Sequence, residues 1–362
     1  MVLVTRIVTR LLLLTLGVVL ACGFAECGLR VVGYAGEGDR TQRVYDKRYG
    51  AVPRDSWIWS FDIDPARHHA VELRGQRVSL PKPEGERRVL FVGDSATEGA
   101  FVSETENFPA VFGQLVGASV RVLNAGVWGM TSIDEYHLLA DKLLPLQPDV
   151  VVIGLFMAND INMNLAHRQL VAQQTSFWGR ITQLSALAHF VRLKLLAAGA
   201  RDTGALTPVE LKLVDERGLR MLSYPEGELA TYVQPESALV EGAYTVLEDV
   251  LRDFQRLGRE HGFAVRVLLI PSPSHVLGRL AILHYPHLLQ ELAHAGLHIA
   301  EGDIDVDAPT KRVLAVCARL SMTCVDPTAA LQHLGPRAFF PEDEHPSAAA
   351  HRVLARALAS SP

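Results

Sequence analysis

Ser95 closes the tripeptide Gly93-Asp94-Ser95 directly behind the apolar run Val89 to Val92, and far downstream His345 stands among Glu342, Asp343 and Glu344. A serine hydroxyl is a weak nucleophile until a base takes its proton and donors hold the oxyanion it creates. An imidazole can be that base when a carboxylate holds its tautomer and stabilises the imidazolium. Two further segments contain residues suited to the oxyanion. Gly129 lies in Asn124-Ala125-Gly126-Val127-Trp128-Gly129, where glycines after an apolar run let a backbone amide approach a substrate. Asn159 follows the apolar stretch Val151 to Ala158 and carries an uncharged donor. Taken singly, each has a plainer reading: an ordinary Gly-Asp-Ser turn, a tight turn at Gly129, a capping Asn159, an exposed His345 in an acidic loop. Together they point to acyl transfer through serine.

These residues need a scaffold that brings distant segments together. From Arg88 onward, short apolar runs alternate with helical patterns, the signature of βαβ units and a parallel sheet. The spacing predicts strands over Arg88–Val92, Val120–Leu123, Val150–Leu155, Ala264–Ile270 and Thr323–Val325. Helices are expected over Phe108–Gly117, Ser132–Leu144, Ala238–His261 and Pro309–Leu320, with a last helix from Pro346 to about Ala359. In an open parallel sheet, ligands sit outside the carboxyl ends of the strands. Ser95, Gly129 and Asn159 follow the first, second and third strands, and His345 precedes the last helix. Ser272 and His275, after the fourth strand, are expected to border this cleft without doing chemistry.

The four segments, in this order, resemble the blocks of the SGNH/GDSL hydrolase superfamily, over roughly Arg88 to Ala359. The resemblance implies a three-layer α/β/α sandwich, flavodoxin-like, with a central, mostly parallel five-stranded sheet. It implies Ser95 as nucleophile, His345 as base, and an oxyanion hole from the Ser95 and Gly129 amides and the Asn159 side chain. The usual acid stands three residues before the histidine, where this chain has Glu342, and a step of two, to Asp343, also occurs. Asp343 is the preferred assignment and Glu342 the alternative. The chain departs from the family in having Ala158 before Asn159 and Ala350 before His351, and His351 is read as structural. The implied activity is ester hydrolysis through an acyl-serine, on acyl or acetyl esters of a glycan or lipid, with no cofactor or metal. An O-acyltransferase using the same acyl-serine, or a glycan-binding module without activity, is the alternative. A Gly-x-Ser-x-Gly elbow is absent around Ser95, and His284, His287, His294 and His298 fall in no HExxH pattern.

The chain has 362 residues, 49% of them hydrophobic and 21% charged, enough for one sizeable domain and a short appendage. A formal net charge of -5 and the lack of dense basic runs exclude nucleic acid as an expected partner. The appendage covers residues 1–34. Arg6 and Arg10 precede an uncharged run, Leu11 to Ala25, then Glu26 and Arg30. That run is shorter than the ~20 residues a bilayer core requires and suits a cleaved signal segment. Apolar residues resume at Gly28, and Glu26 and Arg30 can pair across one helical turn, so a retained single-pass anchor is preferred. Val19-Leu20-Ala21-Cys22 offers a second reading, a lipoprotein held through Cys22. Ordinary cleavage is the third. All three place the remainder outside the cytoplasm, in a periplasm or at the cell surface, where Cys317 and Cys324 can pair and a cell-surface polysaccharide is an accessible partner. Residues 35–87 read as a linker and small β preface, and 88–362 as the catalytic domain, with an insertion at about 165–236.

Overall fold

The computed structural model describes residues 2–32, 43–46, 50–53, 69–175, 185–188, 213–222, 225–280 and 284–361 apart from 342, with isolated residues between these stretches. Within the insertion, the sequence pattern over Leu184–Ala200 also predicts a helix, and it lies for the most part outside the described residues. An uninterrupted helix runs Val2–Val31, and within it Arg6–Val31 is long and apolar enough to cross a membrane. Glu26 and Arg30 pair at 2.7 Å near its end. Two short antiparallel pairs follow, β1 (Arg43–Asp46) with β2 (Gly50–Pro53) and β3 (Ala70–Leu73) with β4 (Gln76–Ser79). The second pair turns at Arg74-Gly75, both at positive φ, which suits a tight hairpin between right-twisted strands.

Strands β5 (Arg87–Gly93), β6 (Val120–Asn124), β7 (Val150–Phe156), β8 (Ala264–Ile270) and β9 (Thr323–Val325) form a parallel five-stranded sheet in the order β6-β5-β7-β8-β9. This is the doubly wound order of a flavodoxin-like sheet. All of β7 is buried, as a central parallel strand must be when both faces are covered. The pleat sends Val89 and Phe91 to one face and Leu90 and Val92 to the other. On the first face, Phe108, Phe112, Leu354 and Leu358 from the helices Phe108–Val116 and Ala348–Ala359 close a core with Val152, Phe156 and Leu268. On the second, Leu138, Val250 and Phe254 from Ser132–Leu138 and Ala238–His261 join Ile153, Leu155 and Val267. The result is the α/β/α sandwich.

Two helix boundaries differ from the sequence expectation by more than one residue. The segment expected as one helix over Ser132–Leu144 is α-helical only to Leu138, then widens into a π turn (Leu139–Leu143) and tightens into a 3-10 turn (Leu144–Leu146). Pro145 has no amide to donate, which ends the regular ladder there. The last helix starts at Ala348, two residues after Pro346. Ser347 caps it by accepting from the Ala350 amide, while Pro346 pairs with Phe339 in an antiparallel bridge. Cys317, at the end of the helix Ala308–Leu320, and Cys324, in β9, form a disulfide across seven positions.

Candidate active site

Ser95 begins a short helix, Ser95–Glu98, immediately beyond β5, and the Asp94 carboxylate caps it by accepting from the Ala96 amide at 2.9 Å. The turn can close this tightly because Gly93 and Gly154 are register partners in β5 and β7. A Cβ on either would stand 2.0 or 2.1 Å from the Thr97 hydroxyl oxygen that fills the space above them. Ser95 is thereby buried at the carboxyl edge of the two central strands.

His345 is brought to the same edge by the loop ahead of the last helix. Phe340 donates its amide to the His345 carbonyl at 3.3 Å, and Asp343 donates to the Phe340 carbonyl at 3.3 Å. Inside that loop the Asp343 Oδ1 accepts from the His345 amide at 2.7 Å and stands 2.5 Å from His345 Nδ1. On the other side of the ring, Nε2 lies 2.8 Å from Ser95 Oγ. The three side chains form one hydrogen-bonded line. With Nδ1–H donating to the carboxylate, Nε2 is left as the acceptor for the serine proton. The Asp343 side chain keeps 38% of its surface exposed, whereas Ser95 and His345 are buried. Glu342, the alternative acid, lies outside the described residues.

Gly129 follows β6 in a turn at φ 74°, a conformation glycine takes without strain. Among the described residues, neither the Ser95 nor the Gly129 amide is engaged in a hydrogen bond. The turn is held from outside the sheet: Glu98 Oε2 accepts from the Trp128 amide at 2.6 Å, and Arg74, at the tip of the β3–β4 hairpin, holds Glu98 at 3.0 Å through both its carboxylate and its carbonyl. Asn159 follows β7, its Oδ1 buried without a partner among the described residues and its amide beside Asp94, where it favours the charged carboxylate. Burial outweighs this and pushes Asp94 up to about 6. The topology thus gathers Ser95, Gly129, Asn159, Asp343 and His345 at the loops that follow the carboxyl ends of the strands.

Rings wall the imidazole. Phe101 meets His345 edge-on at 5.3 Å, Trp128 lies tilted to it at 5.5 Å, and Phe156 at 5.8 Å. His351, by contrast, is fully buried, stacks on Phe108 at 5.9 Å and accepts from the Phe108 amide at 3.2 Å. Burial pushes it down to about 4. It ties the last helix to the helix after Ser95, a structural role.

Behind the site lies a buried acidic group that sequence reasoning missed. Asp160 and Glu135 are fully enclosed, and burial pushes both well above the usual carboxylate range, each raised further by Asp94 and Asp134. Asp94 and Asp160 directly follow or precede site residues in sequence, a usable signal. Glu135 gives none, since only the packing of its helix turns it inward. A second buried network ties the insertion to β8. Ser272 Oγ lies 2.8 Å from His275 Nδ1 and 3.1 Å from the Tyr232 hydroxyl, while Glu228 accepts from the hydroxyls of Tyr232 and Tyr285. Burial pushes His275 down to about 4, leaving it neutral.

No family model matches the chain, and no curated protein is significantly similar to it in sequence. Solved structures are similar to it at low identity. The crystal structure of TesA has 16% identity and a TM-score of 0.39, covering 75% of this chain and 96% of that one. A putative lipolytic protein of the G-D-S-L family from Desulfitobacterium hafniense has 11% identity and a TM-score of 0.38, covering 76% and 98%. The acetylxylan esterase Axe2 from Geobacillus stearothermophilus has 15% identity and a TM-score of 0.40, covering 76% and 93%. The chemistry of the site rests on its own geometry.

Proposed function

We propose that the protein is a membrane-anchored serine ester hydrolase whose catalytic domain works outside the cytoplasm. The observation that carries the reading is the line from Ser95 Oγ through His345 to Asp343, at 2.8 and 2.5 Å. Ser95 Oγ attacks the ester carbonyl as its proton passes to His345 Nε2. The tetrahedral oxyanion is met by the amides of Ser95 and Gly129 and the Asn159 side chain. Collapse expels the alcohol, which takes the proton back from Nε2 and leaves an acyl-serine. Water, deprotonated by the same nitrogen, then releases the acid.

The anchor reading is supported by the contacts of Glu26. Its carboxylate accepts from the Ser185 hydroxyl at 2.9 Å and from the Ala186 and Leu187 amides at 3.0 and 2.8 Å, capping a helical turn of the insertion. Such contacts suit a segment retained in the mature protein, and the Cys317–Cys324 disulfide suits an oxidising compartment. Mass spectrometry of the protein from membranes is expected to find the segment before Cys22; a mature chain beginning after Glu26 overturns the anchor.

The test of the chemistry is hydrolysis of small acetyl esters and labelling by a fluorophosphonate. Both are expected of the wild type, and Ser95→Ala should abolish labelling and lower kcat by roughly a thousandfold or more. Activity surviving in folded Ser95→Ala refutes the mechanism.

A further inference from the structure

Phe101 and Trp128 are large apolar side chains left in water at the mouth of the site, 60% and 44% exposed. Among the described residues after 68, only Leu115 and Val191 share that condition, so half of this exposed apolar set lies beside one imidazole. Both rings are held in place. Phe101 sits at φ 65°, in the left-handed region, which a bulky residue occupies at a cost and which recurs at functional sites. Its ring is fixed edge-on against Trp128 at 5.8 Å, Phe340 at 5.8 Å and His345 at 5.3 Å. Trp128 is held through its amide by Glu98. Folding would bury such rings if only stability mattered.

Which part of a substrate they meet follows from the proton's path, on the ester-hydrolase reading above. His345 Nε2 must reach the oxygen of the departing alcohol, so the alcohol lies along the imidazole and its carbon skeleton against the rings that wall it. Phe101 and Trp128 stand at 80° to one another with ring centroids 5.8 Å apart, an aromatic corner that offers one flat ring face on each side. A long alkyl alcohol needs an extended apolar groove. A pyranose needs one flat face for its C–H groups, with its hydroxyls in water. The charged side chains flanking the corner, Asp343 and Glu98, are acids, and the Arg74 guanidinium is already taken up by Glu98, so an anionic group on the alcohol is disfavoured.

We infer that Phe101 and Trp128 form a subsite for a neutral pyranose ring carrying the ester, on the leaving-alcohol side of Ser95. Two assays test it. In the first, an O-acetylated methyl pyranoside and ethyl acetate are hydrolysed by the wild type, Trp128→Ala, Phe101→Ala and Trp128→Phe. The alanine variants are expected to lose roughly tenfold more kcat/KM on the sugar ester than on ethyl acetate, the size of an aromatic contact, and Trp128→Phe to recover most of it. Equal losses on the two esters, or a wild-type preference for acetates of long alkyl alcohols, overturn the subsite. In the second, binding of the same glycoside to Ser95→Ala is followed by ligand-observed NMR, with and without Trp128→Ala. Binding lost with Trp128 supports the subsite even if the wild type hydrolyses no ester, an outcome that would sink the hydrolase reading alone. Binding indifferent to Trp128 refutes the subsite.

Discussion

Asp343 is the residue whose replacement reports most directly on the line of hydrogen bonds. Its Oδ1 accepts from His345 twice, from the backbone amide at 2.7 Å and at Nδ1 at 2.5 Å, so it both shapes the loop and orients the ring. A hydrogen bond to a charged group contributes about 1.5 to 3 kcal/mol, which corresponds to a factor of about 10 to 200 in rate. With 38% of the side chain exposed, water and salt screen part of the charge, and the lower end of that range applies. Asp343→Asn keeps an acceptor in place but removes the charge, and kcat on a small acetyl ester is expected to fall about tenfold with KM little changed. Asp343→Ala also leaves the loop amide without its partner, and the fall should approach about a hundredfold. Glu342→Gln should change kcat by less than about twofold. The assay is initial-rate kinetics at low and high ionic strength, with circular dichroism to confirm folding. The gap between wild type and Asp343→Asn should narrow as salt rises. A greater loss in Glu342→Gln than in Asp343→Asn refutes the assignment of the acid.

Glu98 and Arg74 act at one remove, as positioning residues. Glu98→Ala frees the Trp128 amide next to Gly129, and kcat is expected to fall by about tenfold with KM nearly constant, because oxyanion donors act only when charge develops; a loss confined to KM argues against this. Arg74→Lys should restore less than Arg74→Gln loses, since one ammonium cannot match a guanidinium that reaches both the Glu98 carboxylate and its carbonyl; full activity in Arg74→Lys would contradict it. The buried acids set the pH dependence of stability. Glu135 and Asp160 titrate higher in the folded chain than in the unfolded one, so they favour folding where both states are protonated and lose that contribution as pH rises through the folded values. His275 and His351, lowered to about 4, oppose this only below the unfolded histidine range. The melting temperature is therefore expected to fall as pH rises above the unfolded histidine range, about 6.5, and to fall less in Glu135→Gln. A flat or rising profile in the wild type would exclude the buried acids as its cause.

The sheet was legible because its strands are short β-rich apolar runs at parallel spacing, and five of them appear within a residue or so of their expected limits. The helix over Ala238–His261 was equally plain, its apolar stripe recurring at helical spacing. Ends set by side-chain capping and proline were harder to read, as the late start at Ala348 and the break after Leu138 show. Residue type and order single out Ser95, Gly129, Asn159 and His345 as a candidate set, because each chemical need is met by few side chains and the α/β topology sends the loops that carry them to one edge. The sequence alone could not choose between Glu342 and Asp343, which differ by one position. The loop closed through Phe340, Asp343 and His345 aims the Asp343 carboxylate at Nδ1, which favours Asp343, while Glu342 lies outside the described residues. Nor could it show that Arg74 reaches Glu98, that Glu135 turns inward, or that Phe101 and Trp128 meet over the imidazole. Those contacts join residues from separate loops and helices, and only packing in three dimensions decides which of them touch.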